Sequence, residues 1–537
     1  QTFNRAKRDL SDFCVCDEND YLAFKENNMK KPSVIVLKKN GRVLKQWKNN
    51  FSSTSFCLGN PLFIVDDEAD AASLNTLVNK NKKSTINKTL TEIKQTTSSS
   101  IYMQVTGTPQ AILLQTVQSG WKPYFIYYFK PGKNYLGGNF FFQPTKPPHI
   151  IFTDNNEAQE LLMDDEFPEN GLKSALMLHL MSSAHILLSG GIVSNFLIHP
   201  SVKTAQHGKF AEKIGEYLNE INISSDEPET MDAFRLVYKD LQETKNDLLP
   251  FEELFSFICE QLENDNINVL VINSISPYDE NTQYETGINI IIGGNSLGRG
   301  LTFPQLQTIY YCRVAKYPQA DTMWQHARMF GYDRVAQLMR VFMPPVLYKL
   351  FSDINTTNNC IIAQIEKHGM SDIKIFYPNG LKPTRKNVLD KNAVGIYSGA
   401  VNYFPFCATN KDIAVIDKIL QPFNDDTYSV SLKLVINLLA QCGSESDDWN
   451  GDVFAGFVKT FIAENPLSQG RLIVRRDRDI GKGTGTLLSP NDRKLGDNIT
   501  DEVVLTMYKV TGTKGWNGKK LWIPNIKLPG DVVYYSI

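Results

Sequence analysis

A chain of 537 residues is too long for one ordinary domain, so two or three are expected. With 42% hydrophobic and 21% charged residues and a formal net charge of −2, it reads as a soluble globular protein with real cores. No overall positive field marks a nucleic-acid binder, so any contact with DNA must come from local basic stretches.

Eight cysteines, at positions 14, 16, 57, 259, 312, 360, 407 and 442, follow no repeated spacing, and neither CxxC nor HExxH occurs. They read as reduced thiols of a cytoplasmic protein. The first ten residues are polar and charged, which excludes a signal peptide there. Residues Ser174 to Ile198 lack formal charge. His179, His185, several serines and the Gly190-Gly191 break fit a buried helix running into a strand better than a membrane span.

Short apolar runs recur between longer amphipathic segments. In chain order they are Val34–Leu37, Leu62–Val65, Ile101–Val105, Pro123–Phe129, Phe196–Ile198, Val269–Ile272, Ile288–Ile292, Thr308–Cys312 and Arg340–Met343. Each has strand length, most are separated by enough residues for a crossover helix, and their near-continuous hydrophobicity predicts strands of a parallel sheet buried on both faces. The class is α/β. The Pro- and aromatic-rich run Phe140–Ile151 reads as a linker or surface excursion. One lobe is therefore expected over residues 1–165, a second over 166–345 and a mixed unit over 346–537. Dense basic stretches lie at Lys80–Lys88 and around Arg471, Arg475, Arg476, Arg478 and Lys482.

Four segments carry chemistry. The run Leu62 to Asp70 (LFIVDDEAD) is a hydrophobic strand that delivers acids to its carboxyl end, where open parallel sheets bind ligands. Phosphoryl transfer needs one carboxylate for Mg²⁺ and another to position or deprotonate water, and Asp67 with Glu68 supplies both. Asp70 is placed to bond neighbouring loops; a plain acidic turn is the alternative. Thr106-Gly107-Thr108-Pro109 follows the next strand, and its hydroxyls can bond the acidic motif and sense the nucleotide, though it also reads as an ordinary strand exit. Ile290–Thr302 opens a third strand into a glycine loop with Gly298, Arg299 and Gly300, or is simply a glycine turn. Asp321 to Arg334 is predicted helical, with Gln325, Arg328 and Arg334 as polar outliers; an arginine fork suits a γ-phosphate, and surface arginines are the alternative.

Taken in order, these segments follow motifs two, three, five and six of superfamily-two helicases. The chain resembles the restriction-associated, helicase-like ATPases that carry the Z-one (Z1) domain. The resemblance is carried by Val34–Asn40, Val65–Thr76, Thr106–Gln110, Pro131-Gly132, Tyr135–Gly138, Leu197–Ser201, Gly293–Thr302 and Gln325–Tyr332. It implies two RecA-like parallel-sheet lobes, the first incomplete, plus a mixed α/β carboxy-terminal unit. It further implies ATP and Mg²⁺ between the lobes, Asp67 on the metal and Glu68 on water. Arg328, with Arg299, would act on the γ-phosphate; Asp70, Thr106, Thr108, Gly298, Gly300, Gln325 and Arg334 would line the nucleotide. The implied partners are double-stranded DNA and a separate nuclease subunit, with no membrane. Residues from Gly483 to Tyr535 resemble the carboxy-terminal part of restriction-system members of this kind.

Two departures stand out. No GxxxxGK[ST] loop occurs, and the resemblance sets Gln1-Thr2 just after that loop, so the chain as written is expected to lack it. Gly331 stands where a second arginine is common, leaving Arg334 as its substitute. Two rival functions compete with this reading. A nuclease would draw on Asp353 with Asp372-Ile373-Lys374, or on His207-Gly208-Lys209, which lacks its aspartate because Ile214 stands there. A non-hydrolysing scaffold is the other.

Overall fold

The computed structural model describes residues 2–28, 30–143, 145–157, 171–200, 204–273, 284–294, 297, 301–313, 317–369, 373–378, 380–446, 449–464, 467–481, 487–512 and 516–536. The chain divides into two compact units. One comprises Gln1–Tyr127, Cys360–Asn379 and Pro383–Ile537; the other comprises Tyr128–Asn359 and Gly380–Lys382. The first boundary thus falls near residue 127 rather than 165, and most of the carboxy-terminal region groups with the amino-terminal lobe.

In the first unit, β1 (Cys14–Cys16) pairs in parallel with β2 (Ser33–Ile35), and β3 (Leu62–Asp66) with β4 (Ser100–Gln104). The helices Gly41–Ser52 and Thr85–Lys94 each bury one stripe at helical spacing, Leu44, Trp47 and Phe51 in the first, Leu90 and Ile93 in the second. Trp47, Phe51 and Phe56 pack with Phe24 in an aromatic cluster of edge-to-face and tilted rings. The expectation of strands covered on both faces fails here: Phe63, Val65, Ile101, Met103 and Val105 are exposed. Pro123–Phe129 forms no strand either, and Tyr124, Phe125, Tyr127 and Phe129 face outward.

The second unit holds six parallel strands: β5 (Ile150–Phe152), β6 (Val193–His199), β7 (Ile267–Ile272), β8 (Gly287–Gly293), β9 (Leu306–Tyr311) and β10 (Arg340–Met343). Their spatial order is β5-β10-β9-β6-β8-β7. Strands β6, β9 and β10 are buried at every residue, which is why their stretches Phe196–Ile198, Ile309–Tyr311 and Val341–Met343 are apolar. The run Phe140–Ile151 is no surface excursion: Phe141 and Phe142 are buried, and Ile150–Phe152 adds β5 beside β10.

The helix Gly171–Leu188 is long and apolar enough by composition to cross a membrane, yet 78% of it is buried within the fold, so it is a core helix. Its start is capped by the buried Glu157, whose Oε1 accepts from Leu172 N at 2.7 Å and Tyr310 Oη at 3.0 Å. The polar groups along it bond one another. Ser183 Oγ donates to Ser194 Oγ at 2.8 Å, so it accepts from His179 Nε2 at 3.3 Å, while Thr308 Oγ1 donates to His179 Nδ1 at 3.2 Å.

Burial pushes the pKa of His179 down to about 3. The unfolded chain then binds the extra proton below about pH 6.5, and this share of stability declines as the pH falls through that window. At pH 5 the loss is about 2 kcal/mol. Melting curves at pH 7 and pH 5 are expected to show a larger drop for the native chain than for His179→Gln; equal drops would reject the assignment.

The remainder of the first unit is β-rich. The strands are β11 (Ile375–Pro378), β12 (Gly395–Ser398), β13 (Asn402–Tyr403), β14 (Ala408–Asn410), β15 (Thr427–Ser431), β16 (Cys442–Ser444), β17 (Gln469–Arg478), β18 (Val503–Val510), β19 (Leu521–Lys527) and β20 (Val532–Ser536). They build a five-stranded mixed sheet, β13-β19-β18-β17-β15, a three-stranded sheet, β11-β20-β12, and the pair β14-β16. Helices Leu432–Leu439 and Gly451–Glu464 close a core around Leu472, Leu505, Met507 and Trp522. The carboxy-terminal region is of mixed strand and helix but groups with residues 1–127 instead of standing as a unit of its own, and the fold is α/β.

Candidate functional site: an acidic turn on β3 and an arginine turn after β10's neighbour β9

β3 ends in Asp66, and the chain turns sharply at once. Asp66 is buried and paired with Lys39 Nζ at 2.8 Å, and it accepts from Tyr102 Oη at 2.7 Å. Burial, and then the charge of Asp66, raise the pKa of Tyr102 well above its ordinary value, keeping it a donor. The same lysine donates to the carbonyls of Asp67 at 2.6 Å and Glu68 at 2.9 Å, so a single cation holds three consecutive residues.

Glu68 has φ 49°, in the left-handed region that costs a non-glycine residue about 1 kcal/mol. Three bonds hold it there: Lys39 on its carbonyl, Asp67 Oδ1 accepting its N–H at 2.9 Å, and the following Ala69 N on Val105 O at 3.1 Å. The result is an exposed Asp67 carboxylate beside a half-buried Glu68 at the carboxyl edge of β3.

Asp70 is buried and accepts from Thr106 Oγ1 at 2.7 Å and Thr108 Oγ1 at 3.0 Å, tying the turn to the end of β4. Five of the residues singled out in the sequence, Asp67, Glu68, Asp70, Thr106 and Thr108, therefore share one edge of the β3–β4 pair. Two others there escaped the sequence reading. Lys39 sits in a motif but showed no sign of its target. Arg385, more than 300 positions away, donates Nη2 to the carbonyls of Asp70, at 3.3 Å, and Ala71. No local pattern could reveal that contact.

In the second unit β8 runs out at Gly293, and Gly298, Arg299 and Gly300 lie outside the described residues. The predicted helix is short, Ala320–His326, because Arg328 turns left-handed at φ 56°. Its Nε donates to Leu297 O at 2.5 Å and its Nη2 to Leu301 O at 2.9 Å, two residues four positions apart in the sequence. Gln325 is half-buried on the short helix.

Arg334 is committed to its own turn. It donates to the carbonyls of Met329, Asp333, Arg328 and Phe330 at 3.0 to 3.3 Å, and burial lowers its pKa to about 10. A Cβ on Gly331 would stand 2.8 Å from its Cζ, so a side chain at that position would displace the Arg334 guanidinium. The nuclease candidates gain nothing. Asp353 pairs with Lys349 one helical turn away at 3.6 Å, and Asp372 lies outside the described residues. Among the described residues, no group of three or more His, Cys, Asp or Glu side chains is placed to hold a metal. A hard oxygen ligand of the Asp67 kind does suit Mg²⁺, which takes one or two protein carboxylates and completes its shell with water and phosphate.

Two family descriptions match this chain. Residues 171–376 match the Z1 domain, and residues 397–530 match the C-terminal domain of the restriction endonuclease CglI H-subunit. A search of the curated proteins found no match. Among solved structures, the C-terminal domain of the CglI restriction endonuclease H subunit is 27% identical, over 25% of this chain and 100% of that one, with a TM-score of 0.24. S. cerevisiae Dbp5 bound to RNA and ADP BeF3 is 12% identical over 58% of this chain and 59% of that one, with a TM-score of 0.29. The ATP-dependent Type ISP restriction-modification enzyme LlaBIII bound to DNA is 9% identical, over 68% of this chain and 24% of that one, with a TM-score of 0.28. The chain thus spans about three fifths of one of these proteins and a quarter of the other. Together the two family matches, one over much of the parallel-sheet unit and one over the carboxy-terminal β-rich part, support a protein of a restriction system.

Proposed function

We propose that this chain is the motor subunit of a restriction system, coupling ATP hydrolysis to movement along double-stranded DNA and working with a separate nuclease subunit. The observation that carries the reading is the acidic turn. Asp67 stands exposed beside a Glu68 held in a left-handed conformation by Lys39, and strain of this kind persists where surrounding bonds over-determine it.

In this reading Asp67 contributes a carboxylate oxygen to Mg²⁺, and Glu68 orients and deprotonates the attacking water. Asp70, with the hydroxyls of Thr106 and Thr108, keeps the turn in register with β4. ATP, when bound with Mg²⁺, supplies the phosphoryl chemistry. Arg328, which donates to the carbonyls of Leu297 and Leu301, is assigned to the γ-phosphate with Arg299. Arg334 supports that turn from beneath. The phosphate-cradling loop of such motors has no counterpart in these 537 residues, so the cradle itself is assigned to none of them.

The test uses the intact gene product. ATP hydrolysis is expected to rise with added duplex DNA, and Asp67→Asn to reduce the stimulated rate by about 10²-fold or more, with the midpoint for Mg²⁺ moved upward. Hydrolysis indifferent to DNA, or a variant with an unchanged Mg²⁺ midpoint and rate, would reject the reading.

A further inference from the structure

Two helices of the first unit carry a charge excess that the whole chain lacks. The helix Gly41–Ser52 bears Arg42, Lys45 and Lys48 and no acid. Residues 79–95, which include the helix Thr85–Lys94, bear Lys80, Lys82, Lys83, Lys88 and Lys94 against a single acid, Glu92. In a chain of net charge −2, eight cations to one acid is a local field, with the balancing acids elsewhere. The other dense basic stretch does not compare. Its Arg471, Arg475 and Arg476 are paired with Glu502, Asp492 and Asp425 at 2.8 to 2.9 Å.

The two helices lie side by side and point the same way. A Cβ on Gly41 would stand 3.0 Å from Thr85 Cγ2, and seven positions along each helix Lys48 Nζ meets Glu92 Oε2 at 3.0 Å. Their positive ends therefore sit together, adding to the lysine field. Lys82, Lys83, Lys88, Thr91, Glu92 and Gln95 line a shallow depression of about 550 Å³. Of the cations on these two stretches, Arg42, Lys45, Lys80, Lys82, Lys83 and Lys88 are exposed. Glu92 sits amid the cations: the bond from Lys48 holds its carboxyl below the usual range, with Lys88 and Lys45 adding to the effect.

We infer that this lysine face grips the phosphate backbone of duplex DNA, a sequence-independent hold within the unit that carries the acidic turn; the inference rests on the DNA-motor reading and supplies its surface. Lysine is the fitting residue. It is a flexible point charge suited to phosphates, it reads no base, and it is depleted from protein–protein interfaces. Glu92 is the internal stand-in for phosphate, neutralising Lys48 and Lys88 until DNA arrives.

The experiment is anisotropy of a fluorescent duplex titrated with the intact protein over a range of salt concentrations. Lys82→Ala/Lys83→Ala/Lys88→Ala is expected to flatten the slope of log K against log salt by about 2 to 3, because each lost phosphate contact removes about 0.9. Affinity near 0.1 M salt should fall by about tenfold or more. Basal hydrolysis without DNA should be unchanged, and more DNA should be needed for half-maximal stimulation. Glu92→Gln is expected to tighten binding, an effect that a merely structural role for this surface would not give. A triple variant with the native slope and affinity overturns the lysine face and leaves the motor reading standing. A native protein that binds no duplex at low salt removes the motor reading, and this inference with it.

Discussion

Glu68→Gln is expected to slow ATP hydrolysis in the intact protein by about 10²- to 10⁴-fold while leaving nucleotide affinity nearly unchanged. Glutamine keeps the volume and the hydrogen-bonding oxygen of glutamate but cannot accept a proton at neutral pH, so it separates positioning from base catalysis. The backbone gives the substitution a clean background. Glu68 is held at φ 49° by bonds to its own main chain, from Lys39 Nζ and to Asp67 Oδ1, which the new side chain does not touch. Single-turnover hydrolysis and nucleotide binding, measured on the same preparation, decide the point. Native turnover by the variant would remove Glu68 from its assigned role; equal losses in binding and turnover would make it a ligand rather than a base.

The largest stability effect is expected at Arg340→Met. Arg340 opens β10, is fully buried, and donates to Asp240 Oδ1 at 2.7 Å, Asp240 O at 2.8 Å and Thr244 Oγ1 at 2.9 Å. It also donates to the carbonyls of Gln337 at 3.2 Å and Met339 at 3.0 Å. Methionine matches the stem but strands these acceptors. Breaking one side of a buried pair costs about 3 to 5 kcal/mol, and the lower end applies because Asp240 is 34% exposed and retains water. Urea unfolding should show a lower midpoint with an unchanged slope. Arg340→Met combined with Asp240→Asn should cost less than the sum of the two single changes. A loss below about 1 kcal/mol in the single variant would mean that the pair is dispensable.

The two units differ in how far their strands could be read from the chain. In the second unit the apolar runs at β6, β8, β9 and β10 became strands almost where they were expected, because strands buried on both faces are apolar at most positions. In the first unit equally apolar runs misled. β3 and β4 expose side chains on one face, and Pro123–Phe129 takes no strand conformation, because a run of apolar residues records a tolerance for burial and not the presence of a cover. β5 was missed because three residues beside prolines carry no period; its pairing with β10 spans nearly 200 positions.

For the site, the sequence alone determined which residue types stand at the tip of β3: acids after an apolar strand, followed by the hydroxyls of Thr106 and Thr108 at the end of the next. Local chemistry was enough, since a strand's length and its exit turn are encoded within about ten residues. Only the tertiary structure decided what holds that tip in shape. Lys39 reaching three consecutive residues, Arg385 arriving from the carboxy-terminal part, and the left-handed turns at Glu68 and Arg328 depend on through-space contacts between distant positions. A charged side chain declares in the sequence that it needs a partner; which partner it finds is set by packing, because only the folded backbone brings the two within reach.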